Sequence, residues 1–247
     1  MLASTTTQGE CAMASITIQA GDGSGSFAAY LVEPKAKPAG AIVLIQEIFG
    51  VNQAMRDIAA WAADIGFIAV CPDLFWRIQP GIDITDKTDA EWKQAFELFQ
   101  KFDQAKGIED LKATVAAARG LPGANGKVGT MGYCLGGRLA FMMAEQSDAD
   151  INIAYYGVGL DGLLGDLGKV TRPLLVHIAD RDEYFPAEGR AKVVAATKGH
   201  ALIACYNYDA DHAFARVGGI HWDGRCATIA NGRSAEALAK ALEPHHG

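Results

Sequence analysis

Hydrophobic and polar residues alternate over positions 15–19 and again over 27–32, and Gly21, Gly23 and Gly25 fall between the two stretches. Alternation of period two on both sides of a glycine-rich turn predicts an antiparallel edge hairpin. The pattern then changes. Positions 41–45 read Ala-Ile-Val-Leu-Ile without a polar break, as expected for a strand buried on both faces. A helical period runs over 52–65 and stops at Gly66. Further strands are predicted at 67–70, closed by Cys71-Pro72, and at 128–131, 151–155, 173–178 and 202–206. Helices are predicted at 89–102, 108–119, 136–145, 187–197 and 224–242. Strand and helix alternate too regularly for an all-β or all-α fold. The order predicts an α/β protein with a mostly parallel, doubly wound sheet of eight strands and right-handed crossovers. Active sites of such sheets lie at the carboxyl ends of the strands. Residues 1–14 are small and polar and read as a loose tail. No repeat or linker divides residues 15–247, which read as one domain.

Composition narrows the function. Half of the 247 residues are hydrophobic, enough for a large core, and the formal net charge of −7 argues against nucleic acid or an anionic membrane as the main partner. Five cysteines, an odd number with no CxxC spacing, suit a reducing compartment and give no zinc or thioredoxin-type site. No basic-then-apolar leader opens the chain, and no apolar run approaches the ~20 residues of a membrane span. A cytoplasmic protein is expected. No HExxH, P-loop or GxGxxG pattern calls for a metal or organic cofactor.

Chemistry concentrates after three strands. Gly132-Tyr133-Cys134-Leu135-Gly136-Gly137 joins the 128–131 strand to the 136–145 helix. It fits the G-x-nucleophile-x-G elbow with cysteine as nucleophile. The helix N-terminus favours a thiolate there, and the Leu135 amide is placed to donate to a developing oxyanion. The structural alternative is a small buried cysteine at a tight turn. A cysteine nucleophile needs a base and a group to orient it, in the chain order nucleophile, acid, histidine. Asp182, after the 173–178 strand, is the leading acid, with Asp180 and Glu183 as alternatives. His212, after the 202–206 strand, is the base. His177 lies inside an apolar strand. His200, His221, His245 and His246 lack that combination of order and placement.

Taken together, these segments resemble the dienelactone hydrolase (carboxymethylenebutenolidase) family of the α/β-hydrolase fold, from about Ile16 to the last helix. The matching blocks are Gln46-Glu47-Ile48-Phe49-Gly50-Val51-Asn52, Cys71-Pro72-Asp73-Leu74, Asn125-Gly126-Lys127-Val128-Gly129, the elbow, Tyr155-Tyr156-Gly157-Val158-Gly159-Leu160 and His212-Ala213-Phe214-Ala215-Arg216. The resemblance implies a Cys134–Asp182–His212 triad, and favours Asp182 through the pattern small-x-x-Asp-x-x-Phe-Pro. It implies an oxyanion hole from the Ile48 and Leu135 amides, and a Glu47 carboxylate that lies near the resting cysteine until substrate displaces it. It also implies a small ester or lactone as substrate, a monomer, and no cofactor. Arg216 matches one of two arginines that hold the substrate carboxylate. Trp92 stands at the other, leaving Arg77 and Lys93 as candidates to compensate. Phe96 stands where a tyrosine is frequent, and Ala213 where a serine is. Trp92, Phe96 and Tyr156 are therefore expected around the substrate, and a larger, less charged or aromatic ester is the alternative substrate. The rival from another class is a ligand-binding protein without turnover; a redox sensor at Cys134 would lack a nearby resolving cysteine.

Overall fold

In the computed structural model, residues 13–243 are described. Strands β1 (Met13–Gln19) and β2 (Ser26–Val32) form the expected antiparallel hairpin. The predicted tail lies outside the described residues up to position 12, but positions 13 and 14 already pair with Val32 and Leu31 in β1. Next come β3 (Ala39–Ile45), α1 (Gln53–Asp64), β4 (Ile68–Pro72), α2 (Asp89–Lys101), α3 (Gln104–Arg119), β5 (Ala124–Tyr133), α4 (Leu135–Gln146), β6 (Ile151–Tyr155), β7 (Leu174–Ala179), α5 (Ala187–Thr197), β8 (Ile203–Tyr208) and α6 (Gly224–Leu242). The eight strands form one sheet in the order β1-β2-β4-β3-β5-β6-β7-β8. From β4 to β8 every pairing is parallel, and β2 pairs antiparallel with β4. This is the α/β-hydrolase architecture.

The unbroken apolar run of β3 is buried throughout, at the centre of the sheet between β4 and β5. One face carries α1 and α6, which supply Met55, Ala59, Ala62, Ala230 and Leu238 to its core. The other carries α2 to α5, with Leu98, Leu111, Val115, Leu139 and Val193. Burial on both faces is what confines polar chemistry to the strand ends. Among the described residues, no helix is long and apolar enough to cross a membrane.

Two departures from the expected pattern have local causes. Helix α3 begins four residues before position 108 because Asp103 caps it, accepting from the Lys106 amide at 3.1 Å. A 3-10 helix over Leu160–Lys169 is not among the predicted elements: Leu160, Leu163, Leu164 and Leu167 recur at helical spacing, but Gly162, Gly165 and Gly168 weaken the pattern. It joins β6 to β7 and packs against α4 and α5.

Candidate active site

Cys134 lies between the last residue of β5 and the first of α4, with φ 55° and ψ −113°. A non-glycine residue in that region costs on the order of 1–3 kcal/mol and persists only where its surroundings enforce it. Here the enforcement is steric. A Cβ on Gly132 would lie 1.9 Å from the Gly136 carbonyl oxygen, and a Cβ on Gly136 would lie 2.1 Å from the Ile45 carbonyl oxygen. The turn can be this tight only with glycine at both positions. No side chain caps α4, so the first-turn amides remain available to an anion. Gly136→Ala is expected to lose at least about 2 kcal/mol of stability, because backbone must move to admit the methyl. Urea unfolding would measure it, and an unchanged midpoint would contradict the steric account.

The structure brings His212 and Asp182 together. Imidazole Nδ1 lies 2.8 Å from Asp182 Oδ2, with both side chains buried. The other oxygen, Oδ1, accepts from the amides of Tyr184 (2.9 Å) and Phe185 (3.2 Å), which hold the carboxylate in place. Asp180 instead accepts from Asn207 Nδ2 at an exposed position, and Glu183 is exposed. Of the three acids, only Asp182 bonds the histidine. Burial disfavours the imidazolium, but the neighbouring Cys134 sulfur and the Asp182 carboxylate outweigh it and push the His212 pKa up to about 10. With the Nδ1 side taken, Nε2 is the ring nitrogen left for chemistry. Tyr184 and Tyr156 meet the ring edge-on at centroid distances of 5.0 and 5.2 Å.

A raised histidine pKa has a definite consequence for stability. The stabilisation is complete below about 6.5, the ordinary value, and is lost as pH climbs through that value toward about 10. Denaturant midpoints measured at about pH 6, 8 and 10 should therefore fall on the alkaline side. The His212-dependent part of that fall should shrink in Cys134→Ala, which removes one source of the shift. An identical slope in both proteins would refute the assignment.

A cavity of about 530 Å³ opens over Cys134 and His212. Glu47, from the loop after β3, lines it, yet its carboxylate is held by Arg216: Nη1 lies 3.0 Å from Glu47 Oε2. The same guanidinium places Nη2 2.9 Å from Asp86 Oδ2. Arg216 lines the cavity, and in this state its guanidinium pairs with both buried carboxylates rather than standing free. Tyr156 is also displaced from its expected place. It packs behind His212 and against Phe214, fully buried, and does not line the cavity. Trp92 and Phe96 do line it, stacked at 5.5 Å, with the Trp92 edge against Phe49. Ile48 and Leu135 line it as well. Neither proposed stand-in for the missing arginine is present. Arg77 is tied to Asp110 and Asp22 elsewhere, and Lys93 is exposed and outside the cavity wall.

The dienelactone hydrolase family model matches residues 27–243. The chain belongs to the dienelactone hydrolase family. A Pseudomonas putida carboxymethylenebutenolidase is 40% identical over 225 residues, covering 91% of this chain and 95% of that protein. An Azospirillum brasilense protein provisionally named a carboxymethylenebutenolidase is 50% identical over 233 residues, 93% of this chain and 100% of the relative. Among solved structures, a provisionally named dienelactone hydrolase of Klebsiella pneumoniae superposes with a TM-score of 0.78, over 93% of this chain and 99% of the other, at 23% identity. That last likeness concerns the fold. Set beside the dienelactone hydrolase pattern of residues, the site contains groups that sequence reasoning missed. Asp86 reads as one more loop acid, and nothing in its neighbours signals that it is buried on Arg216. Arg138 sits one turn into α4, where a cation reads as solvent-facing, but it lines the cavity. His221 Nδ1 donates to the His212 carbonyl, 3.1 Å away.

Proposed function

We propose that this protein hydrolyses a lactone or ester of the dienelactone kind through an acyl-enzyme on Cys134. The observation that carries this reading is the alignment of carboxylate, imidazole and sulfur at the elbow beneath the cavity: Asp182 holds Nδ1 of His212 at 2.8 Å, and Cys134 borders the same ring. Membership of a family whose relatives include carboxymethylenebutenolidases points to the same reaction.

On this reading the steps are as follows. The Cys134 proton moves to His212 Nε2, and the sulfur adds to the substrate carbonyl. The amides of Ile48 and Leu135 hold the oxyanion. The C–O bond breaks as His212 returns the proton to the leaving oxygen, which opens a lactone or releases an alcohol. Water then adds to the thioester, giving its proton to His212, and the tetrahedral adduct expels Cys134 sulfur with a free carboxylic acid as product. Asp182 stabilises the imidazolium and fixes its tautomer. Glu47 has one buried oxygen, Oε1, with no partner among the described residues. A buried acceptor without a partner is costly, and the family resemblance gives this carboxylate a resting place near the cysteine that substrate then takes over.

The test is a rapid-mixing assay with 4-nitrophenyl acetate and with dienelactone. A burst of 4-nitrophenol matching the enzyme concentration, with acetyl on Cys134 by mass spectrometry, is expected. Absence of both burst and adduct would overturn the mechanism. A second reading, a larger aromatic ester, has its own support in the Trp92–Phe96 stack and in Phe99, which give the cavity an apolar wall. On that reading kcat/KM rises from acetate to phenylacetate esters. A flat or falling series favours the small lactone.

A further inference from the structure

A family hydrolase acting on an acidic lactone needs cations for the substrate's carboxylate, and one of the two positions where they are expected does not offer one. Position 92 is tryptophan. Arg216 is shared between Glu47 and Asp86 and meets a substrate only once Glu47 is displaced. The described residues that line the cavity include one other arginine, Arg138.

Arg138 is built in rather than merely present. It lies on α4, one turn after Cys134, and its own amide donates to the Cys134 carbonyl at 3.1 Å. Its Nε donates to Gln104 Oε1 at 2.8 Å. Its Nη1 donates to the carbonyls of Gly159 (2.5 Å) and Val158 (3.2 Å). These bonds fix the plane of the guanidinium by neutral acceptors alone. Among the described residues, no carboxylate forms an ion pair with it and Nη2 has no hydrogen-bond partner. The seat is close-fitting, since a Cβ on Gly159 would come within 3.0 Å of Nη1. The side chain is half-buried, and burial pulls its pKa below the ordinary arginine value, with Asp161 offsetting this only by its distant charge. A clamped, partly desolvated guanidinium with no direct ion-pair partner among the described residues is suited to an anion.

We propose that Arg138 binds a carboxylate carried by the substrate, away from the scissile carbonyl, and so supplies the second cation that Trp92 does not, selecting acidic esters or lactones. This rests on the acyl-transfer reading of Cys134 for its catalytic readout, and on the cavity alone for its binding readout. Arg138 touches the substrate's remote end and takes no part in bond breaking.

The experiment compares mono-4-nitrophenyl adipate with its neutral methyl ester in the wild-type protein, Arg138→Met and Arg138→Lys. The expected result is a fall of about 10- to 100-fold in the charged-to-neutral ratio of kcat/KM in Arg138→Met, carried mainly by KM, as for loss of one charge-assisted hydrogen bond. Arg138→Lys should recover part of the ratio, because it keeps the charge and loses the fork. Equal loss on both esters would mean that Arg138 only bolts α4 to the Val158–Gly159 loop, and an unchanged ratio would mean it meets no anion. Either overturns the proposal. Calorimetric titration with adipate separates this from failure of the hydrolase reading. If the wild type cleaves neither ester, acyl transfer falls, yet adipate binding that disappears in Arg138→Met keeps Arg138 as the anion site. Equal or absent adipate binding in both proteins removes it.

Discussion

Cys134→Ala is expected to lower kcat for an aryl ester by roughly four to six orders of magnitude, the scale seen when a covalent nucleophile is removed from a triad whose members act as a unit. The burst phase should vanish with it. His212→Ala should lose a similar amount, because the proton it accepts has no other partner placed on the sulfur. Asp182→Asn is the more discriminating variant. It keeps the shape of the site, but the amide can present N–H to Nδ1 and favour the wrong tautomer. Its loss of about 10³- to 10⁴-fold should be accompanied by a lower His212 pKa, since the carboxylate is one of the causes that raise it. Nuclear magnetic resonance titration of the imidazole would follow that pKa. Full activity in Cys134→Ala would sink the acyl-enzyme, and full activity in Asp182→Asn would leave Asp182 a merely structural partner.

Arg216→Met is expected to be the most destabilising single change near the cavity. Its guanidinium is buried and sits within 3.0 Å of two buried carboxylates. Removing one member of a buried ionic group leaves uncompensated charge and costs about 3–5 kcal/mol. For a chain of this size that corresponds to a fall in Tm of very roughly 6–20 °C. Neutralising the acids as well, in Arg216→Met with Glu47→Gln and Asp86→Asn, should restore much of the lost stability, because no charge then remains unpaired. Differential scanning calorimetry on the single and triple variants decides it. A single variant that melts with the wild type would show that the three groups are better solvated than their burial implies.

Much of this site could be read from the chain because its constraints are local. The elbow glycines are legible since no other residue fits beside Cys134, and the order of Cys134, Asp182 and His212 along successive strand ends follows from the parallel sheet. Strand β3 announced itself by an unbroken apolar run, and its neighbours β4 and β5 are buried on both faces as that run implies. What stayed hidden depends on pairings far apart in sequence. Arg216 and Asp86 meet across 130 positions, and no periodicity encodes such a partner. Tyr156 has the aromatic character of a substrate contact, but a positive φ of 37° turns its ring behind His212. Arg138 occupies a helical position whose exposure depends on how close Val158 and Gly159 approach, which the α4 sequence alone does not record.

Helix α2 buries only Ala95 and Leu98 in the core, while Trp92, Phe96 and Phe99 on the same helix face the cavity. The triad stands on other elements, at the carboxyl ends of β5, β7 and β8. The part of the molecule that makes and breaks bonds is thus separate from the part that frames the guest. Evolution, or a laboratory library confined to three positions of one helix, can redraw the range of accepted esters while Asp182, His212 and Cys134 keep their geometry.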